Sequence, residues 1–189
     1  MEYHMNKLMR TLALIMIGCL AAAAAEIPRP APELAVQGPG GKPLRLSQFR
    51  GKVVVLTLMH TTCQHCQDLT RLLVPIQKDY QARNVVVFEV AFNEDAPMTM
   101  GPFYKVFEPN FPVGLTNDAA VRQFLKWNDK TDGPLMVPHM TFIDAKGNIV
   151  YDHGDNDFFG ASLDKNIRGL IDKMVAKAPA AATSAAKKK

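Results

Sequence analysis

The sequence predicts an α/β fold, a central mixed sheet with helices on both faces that closes with a β-hairpin and a C-terminal helix. Three observations carry this. Val53 to Met59 (VVVLTLM) and Val85 to Phe92 (VVVFEVAF) are nearly continuous β-branched and apolar runs, which is how strands buried on both faces read. Between them Leu69, Leu72, Leu73, Ile76 and Tyr80 recur at helical spacing. That strand–helix–strand order implies parallel pairing through a right-handed crossover, while Asp144-Ala145-Lys146-Gly147 between two later apolar runs marks an antiparallel hairpin.

The elements follow in order. Residues 26–43, rich in proline and glycine, read as an extended lead-in, and the domain is expected over 44–177. Leu44-Arg45-Leu46 suggests a short strand before the first buried one. The first long helix is expected over 63–82, opening at Cys63, with Pro75 interrupting its hydrogen bond to the Arg71 carbonyl. Asn93 to Val106 reads as irregular helix around Pro102, and Phe111-Pro112-Val113 as a strand entry. Asp118 to Trp127 is expected to be a helix capped by Asp118, with Trp127 in the core or lining a groove. Met140 to Ile143 and Asn148 to Tyr151 form the hairpin. Leu163, Ile167, Leu170, Ile171 and Met174 mark the last helix, and residues 178–189 read as a disordered tail.

The 189 residues carry a formal charge of +4, but five of the 22 basic side chains sit in the two ends, and the span 26–180 holds 17 basic and 17 acidic residues. A neutral domain gives nucleic acid nothing to bind. Lys7 and Arg10, the apolar stretch Thr11 to Leu20 and the small residues Ala21 to Ala25 read as a signal peptide over 1–25, cleaved after Ala25. Export to a periplasmic space follows. A membrane anchor, or a lipid on Cys19 in the lipobox-like Gly18-Cys19, is the alternative, and either is the chain's only expected route to a membrane.

With Cys19 removed, the mature chain keeps only Cys63 and Cys66 of its 3 cysteines, which excludes a multi-disulfide scaffold. Two cysteines three apart on a first helical turn can bond with little strain. Cys63 would meet the free N–H groups and positive end of the helix, which favour thiolate over thiol, while Cys66 would be shielded one turn in. Cys63 is therefore the expected nucleophile and Cys66 the resolving thiol. A protonated His65 between them could stabilise the Cys63 thiolate. The dithiol itself carries the electrons, so no cofactor and no resident metal is expected. A zinc knuckle would need a second ligand pair that the sequence lacks.

VVVLTLMHTTCQHC (Val53 to Cys66), the helix after it and the later Val137-Pro138-His139-Met140-Thr141-Phe142-Ile143-Asp144 together resemble the TlpA/ResA-like branch of the thioredoxin superfamily, over about residues 31–175. The resemblance implies a thioredoxin-like fold and an exported thiol–disulfide oxidoreductase that exchanges with protein thiols and is served by an upstream redox partner. It makes Pro138 the cis proline beside the cysteine pair, and assigns substrate-chain binding to the Val137 backbone and to Thr62, which stands where the family usually has a tryptophan. The family's proton-moving acids are displaced. Thr57 stands six residues before Cys63 in place of a buried acid, and Leu69 stands three after Cys66, with Asp68 one earlier. Direction of electron flow stays open, since the His before the second cysteine resembles the Cys-Pro-His-Cys of periplasmic disulfide oxidases.

Two other readings use the same residues. His60, Cys63, His65 and Cys66, with Met59 nearby and Met98 and Met100 as further sulfur donors from a later stretch, could hold copper(I) in a metallochaperone-type protein. A peroxidase would want Thr three residues before its cysteine, where His60 stands. Asp152, Asp155 and Asp157 lack the distal glutamate of a calcium loop and read as solvated acids.

Overall fold

The structure, a computed structural model, describes residues 27–177. The expected signal peptide and the expected tail over 178–189 lie outside the described residues, and no described helix is long and apolar enough to cross a membrane. In chain order the elements are β1 (Arg29–Pro30), β2 (Ala35–Gln37), β3 (Pro43–Arg45), β4 (Val53–Met59), α1 (Gln64–Tyr80), β5 (Val85–Ala91), α2 (Ala96–Phe107), β6 (Val113–Leu115), α3 (Asp118–Leu125), α4 (Asp129–Asp132), β7 (His139–Ile143), β8 (Asn148–His153) and α5 (Leu163–Lys177). One mixed sheet runs β1-β8-β7-β4-β5-β6-β2-β3. The two buried runs pair in parallel, Val53 beside Val85 through Met59 beside Ala91, and β6 extends that parallel set. β7 joins the other side of β4 antiparallel, and β8 folds back on β7 through the turn at Gly147, whose φ of 88° is open to glycine. This is the thioredoxin-like arrangement expected.

The segment 26–43 departs from its reading as a lead-in. Arg29–Pro30 pairs with β8 and forms one edge of the sheet, and Ala35–Gln37 pairs with β3 and with β6, so residues N-terminal to the expected domain start join the sheet near both of its ends, with β3 as the other edge. Proline suits such edge strands because no ladder partner needs its missing N–H. The cap of α3 also differs by one residue. Asn117 accepts the Ala120 N–H at 2.9 Å, and Asp118 instead pairs with Arg122 one turn on. Asn93 to Val106 resolves into α2, which contains Pro102, and α1 continues past Pro75 as one element with the proline exposed.

Alternation along the strands sorts the core into two layers. Val53, Val55, Met59, Val85, Val87 and Ala91 pack with Leu69, Leu73 and Ile76 of α1 and Ile167 and Ile171 of α5. Val54, Leu56, Leu58, Phe88 and Val90 face α3 and Leu34 and Val36 of the N-terminal segment. At the start of β7 a buried polar cluster fixes the strand. His139 is 3% exposed, and its Nε2 lies 2.5 Å from the Asp152 carboxylate, which also accepts the Thr141 hydroxyl at 3.1 Å. The buried Arg29 guanidinium reaches the same carboxylate at 3.9 Å and donates to the Leu125 carbonyl at 3.2 Å. β1, α3, β7 and β8 are thus tied together immediately behind Pro138.

Candidate functional site

The chain leaves the sheet at Met59 and turns through His60-Thr61-Thr62 into α1. A dense set of hydrogen bonds holds that turn. Thr61 N–H donates to Asn93 Oδ1 at 3.0 Å, Asn93 Nδ2 donates to Thr61 Oγ1 at 2.8 Å, and Gln67 Nε2 donates to the Thr61 carbonyl at 2.8 Å. The Thr61 and Thr99 hydroxyls meet at 2.6 Å, so α2 braces the turn from the side. His60 packs edge-on to Phe92 at 4.5 Å, and its burial holds the imidazole below its ordinary value against the pull of Asp118 and Asp95. Its carbonyl accepts the Cys63 N–H at 3.2 Å.

Cys63 is itself the N-cap of α1. Its backbone is extended, at φ −78° and ψ 120°, and its Sγ accepts the Cys66 N–H at 3.3 Å, where a serine or aspartate oxygen would ordinarily sit. The helix therefore begins one residue later than expected, and the sulfur stands in front of its first turn. Cys63 is half-buried and Cys66 is 1% exposed, and both are free thiols. Burial pushes the Cys66 thiol far above its usual value, with the Cys63 sulfur and the Glu89 carboxyl adding to the rise.

The Val137–Pro138 bond is cis, and the Val137 carbonyl lies 3.9 Å from Cys63 Sγ. Cys63, Cys66, Val137 and Pro138 thus come together from α1 and the entry to β7. His65 and Thr62 are exposed on the rim, and neither makes a hydrogen bond to a sulfur. A groove of ≈ 570 Å³ lies between α1 and the 154–163 segment, lined by His65, Leu69, Leu72, Val137, Pro138 and Phe159 among others, with His65 and Val137 bringing it next to the pair. Met136 stands at its edge, 61% exposed. The copper alternative finds no such assembly. Met59 is fully buried in the core, and among the described residues no group of three or more His, Cys, Asp or Glu side chains gathers.

One residue of the site was not anticipated from the sequence. Glu89, in the middle of β5, is fully buried and accepts the Thr70 hydroxyl at 3.0 Å and 3.2 Å. Thr70 also reaches the Cys66 carbonyl at 3.0 Å. Burial pushes the Glu89 carboxyl up to about 8, with the Thr70 hydrogen bond opposing. The available signal was a lone acid within a run too apolar to reach solvent.

Comparison with known proteins agrees with this geometry. The Redoxin family model matches residues 28–158. The chain is similar to thiol-disulfide oxidoreductase ResA of Bacillus subtilis (strain 168), 29% identical over 120 residues, 64% of this chain and 63% of that one. It is also similar to the ResA of Bacillus thuringiensis subsp. konkukian, 25% identical over 125 residues, 66% of this chain and 68% of that one. Among solved structures, a thioredoxin-family thiol:disulfide interchange protein from Chlorobium tepidum aligns with TM-score 0.66 and 23% identity over 80% of this chain and 99% of that one. The match over most of the chain, on a fold that seats a C-x-x-C at a helix cap, shows that the chain belongs to the Redoxin family, a thioredoxin-like redox enzyme of the TlpA/ResA-like branch.

Proposed function

We propose that the chain is an exported dithiol reductase that exchanges its Cys63–Cys66 pair with disulfides in protein substrates. One observation carries the reading: a half-exposed sulfur caps the helix while its partner, one turn on, is buried behind it. Cys63 attacks a substrate disulfide and forms a mixed disulfide as one substrate thiolate leaves. Cys66 then displaces the second, leaving Cys63–Cys66 oxidised and the substrate reduced by two electrons. The Val137 backbone and the groove beside it suit an extended chain with apolar side chains. An upstream dithiol partner returns the electrons. Export rests on the basic, apolar and small-residue succession of residues 1–25.

The reducing direction follows from the electrostatics. Strong oxidants of this chemistry owe their potential to a stabilised thiolate in the reduced form. Here the Cys66 thiolate is disfavoured by burial, and among the described residues Cys63 Sγ has the Cys66 N–H and the Val137 carbonyl as its hydrogen-bond partners and no cationic side chain as one. Equilibration against a glutathione series is therefore expected to place the pair well below the glutathione couple, with insulin reduced in parallel at the expense of dithiothreitol. A potential at or above the glutathione couple would replace the reductase with an oxidase or isomerase.

A further inference from the structure

Of the three buried side-chain polar atoms without a hydrogen-bond partner among the described residues, two belong to the cluster behind Pro138: Arg29 Nε and His139 Nδ1. Apolar side chains of similar volume would fill that space with no orphaned atoms, and exchanging a buried ion pair for them is often neutral or stabilising. What the polar set adds is direction. The Asp152 carboxylate only accepts, so the His139 nitrogen facing it, Nε2, carries the hydrogen and Nδ1 is left bare. Trp127 stands edge-on to the imidazole at 5.8 Å. On the Nδ1 side the ring lies flush against Gly154, where an added Cβ would fall 2.5 Å from Nδ1. The ring is held from three sides.

That placement ties the two sides of the groove together from behind. His139 directly follows Pro138, and Asp152 stands two residues before Gly154. Pro138 and Gly154 both line the groove, one at the entry to β7 and the other just past the end of β8. The ladder between these strands ends at Met140 and His153. Thr141 lies opposite Asp152 within it, and His139 shares the face of Thr141, so the imidazole beyond the last pair is bonded back diagonally to the same carboxylate. Arg29 reaches that carboxylate from β1 and anchors it to the end of α3 through the Leu125 carbonyl. None of the three side chains lines the groove, yet each is linked to a residue that does.

We propose that His139, Asp152 and Arg29 are positioning residues: a clamp that sets the spacing of the groove walls and keeps the Val137–Pro138 wall in place beside Cys63, so that a substrate chain is seated for attack. The inference rests on the exchange reading and adds what fixes the substrate. The clamp makes and breaks no bond to sulfur, so its effect is selective. A disulfide carried on a polypeptide needs the groove, whereas the small aromatic disulfide DTNB needs only the half-buried Cys63 sulfur.

The test compares those two substrates. In His139→Leu the KM for insulin is expected to rise about 10-fold, with kcat and the rate of the first DTNB step within about twofold of wild type, the pattern of lost binding that is uniform through the reaction. His139→Gln places an amide donor where Nε2 stood and is expected to restore most of the wild-type KM. Arg29→Met, from another strand, should raise KM in the same sense, and the double variant Arg29→Met/His139→Leu should go little further than His139→Leu, because both cut one clamp. A readout with the clamp unaltered comes from proton spectra of Cys66→Ser. The His139 Nε2–H, sealed from solvent and held by a carboxylate, is expected as a slowly exchanging downfield signal that moves when a peptide is trapped on Cys63 and stays in place when the thiolate half of DTNB is trapped there. A wild-type insulin KM in His139→Leu, an equal rise in His139→Leu and His139→Gln, or a signal indifferent to the trapped peptide would overturn the proposal. A wild-type protein that reduces neither insulin nor DTNB would remove the exchange reading and the clamp with it.

Discussion

Replacing Cys66 with serine is expected to turn the enzyme into a trap. Cys63 keeps its place at the helix cap and attacks, but nothing behind it can displace the substrate, so a mixed disulfide accumulates that survives denaturing gels and vanishes with dithiothreitol. Replacing Cys63 instead removes the nucleophile, and no adduct should form, because Cys66 is 1% exposed and its thiol is raised by burial. Both variants should lose turnover by on the order of 10³-fold or more, since neither half of the exchange works without the other. The contrast between them is the informative part. Equal trapping by the two single variants would mean that the cysteines are interchangeable, which a cap position and a core position do not allow.

The second large effect concerns stability. The folded protein holds the Glu89 proton up to about pH 8, whereas the unfolded chain releases it near the ordinary value of 4.5. Between those values the folded state binds more protons than the unfolded state, so stability falls as pH rises through that window and stays low above it. Each tenfold difference in proton affinity between the two states corresponds to about 1.4 kcal/mol, so the buried carboxyl costs several kcal/mol at pH 9 relative to pH 4. For a domain of this size that is roughly 10 °C in Tm. Glu89→Gln keeps the shape and an acceptor for Thr70 but removes the charge. Its Tm is expected to match the wild type's near pH 4 and to exceed it increasingly from pH 6 to 9. Parallel curves for the two proteins would show that the carboxyl is solvated.

The apolar layer under α1 is expected to be more stable with a neutral side chain of matching shape at that position of β5 once the pH exceeds the ordinary carboxylate value.

Local patterns in the sequence carried much of this structure. VVVLTLM and VVVFEVAF read as strands buried on both faces, and Cys63 and Cys66 were identifiable from spacing and from the export-like N-terminus that leaves them alone in the chain. What stayed hidden depended on register. Asp152 and Thr141 face each other only once the hairpin offset is known, and His139 joins them from two residues earlier. Glu89 gained meaning from lying beside Thr57, a neighbour 32 positions away that only the parallel pairing supplies. The edge strand Arg29–Pro30 was masked by its proline, which argues against a strand locally but is tolerated at an edge. Asn117 and Asp118 are both good caps, and only the backbone decides which one leaves the helix first.

The proposed exchange rests on an asymmetry of placement: one sulfur half-buried at the mouth of α1 and one buried behind it, so that the first is expected to react and the second only once the first is engaged. Brief alkylation of the reduced native protein with iodoacetamide at neutral pH, followed by peptide mapping, measures it directly. Modification of Cys63 is expected, with Cys66 left intact until the protein is denatured. Modification of Cys66 at a comparable rate, or protection of Cys63, would contradict it.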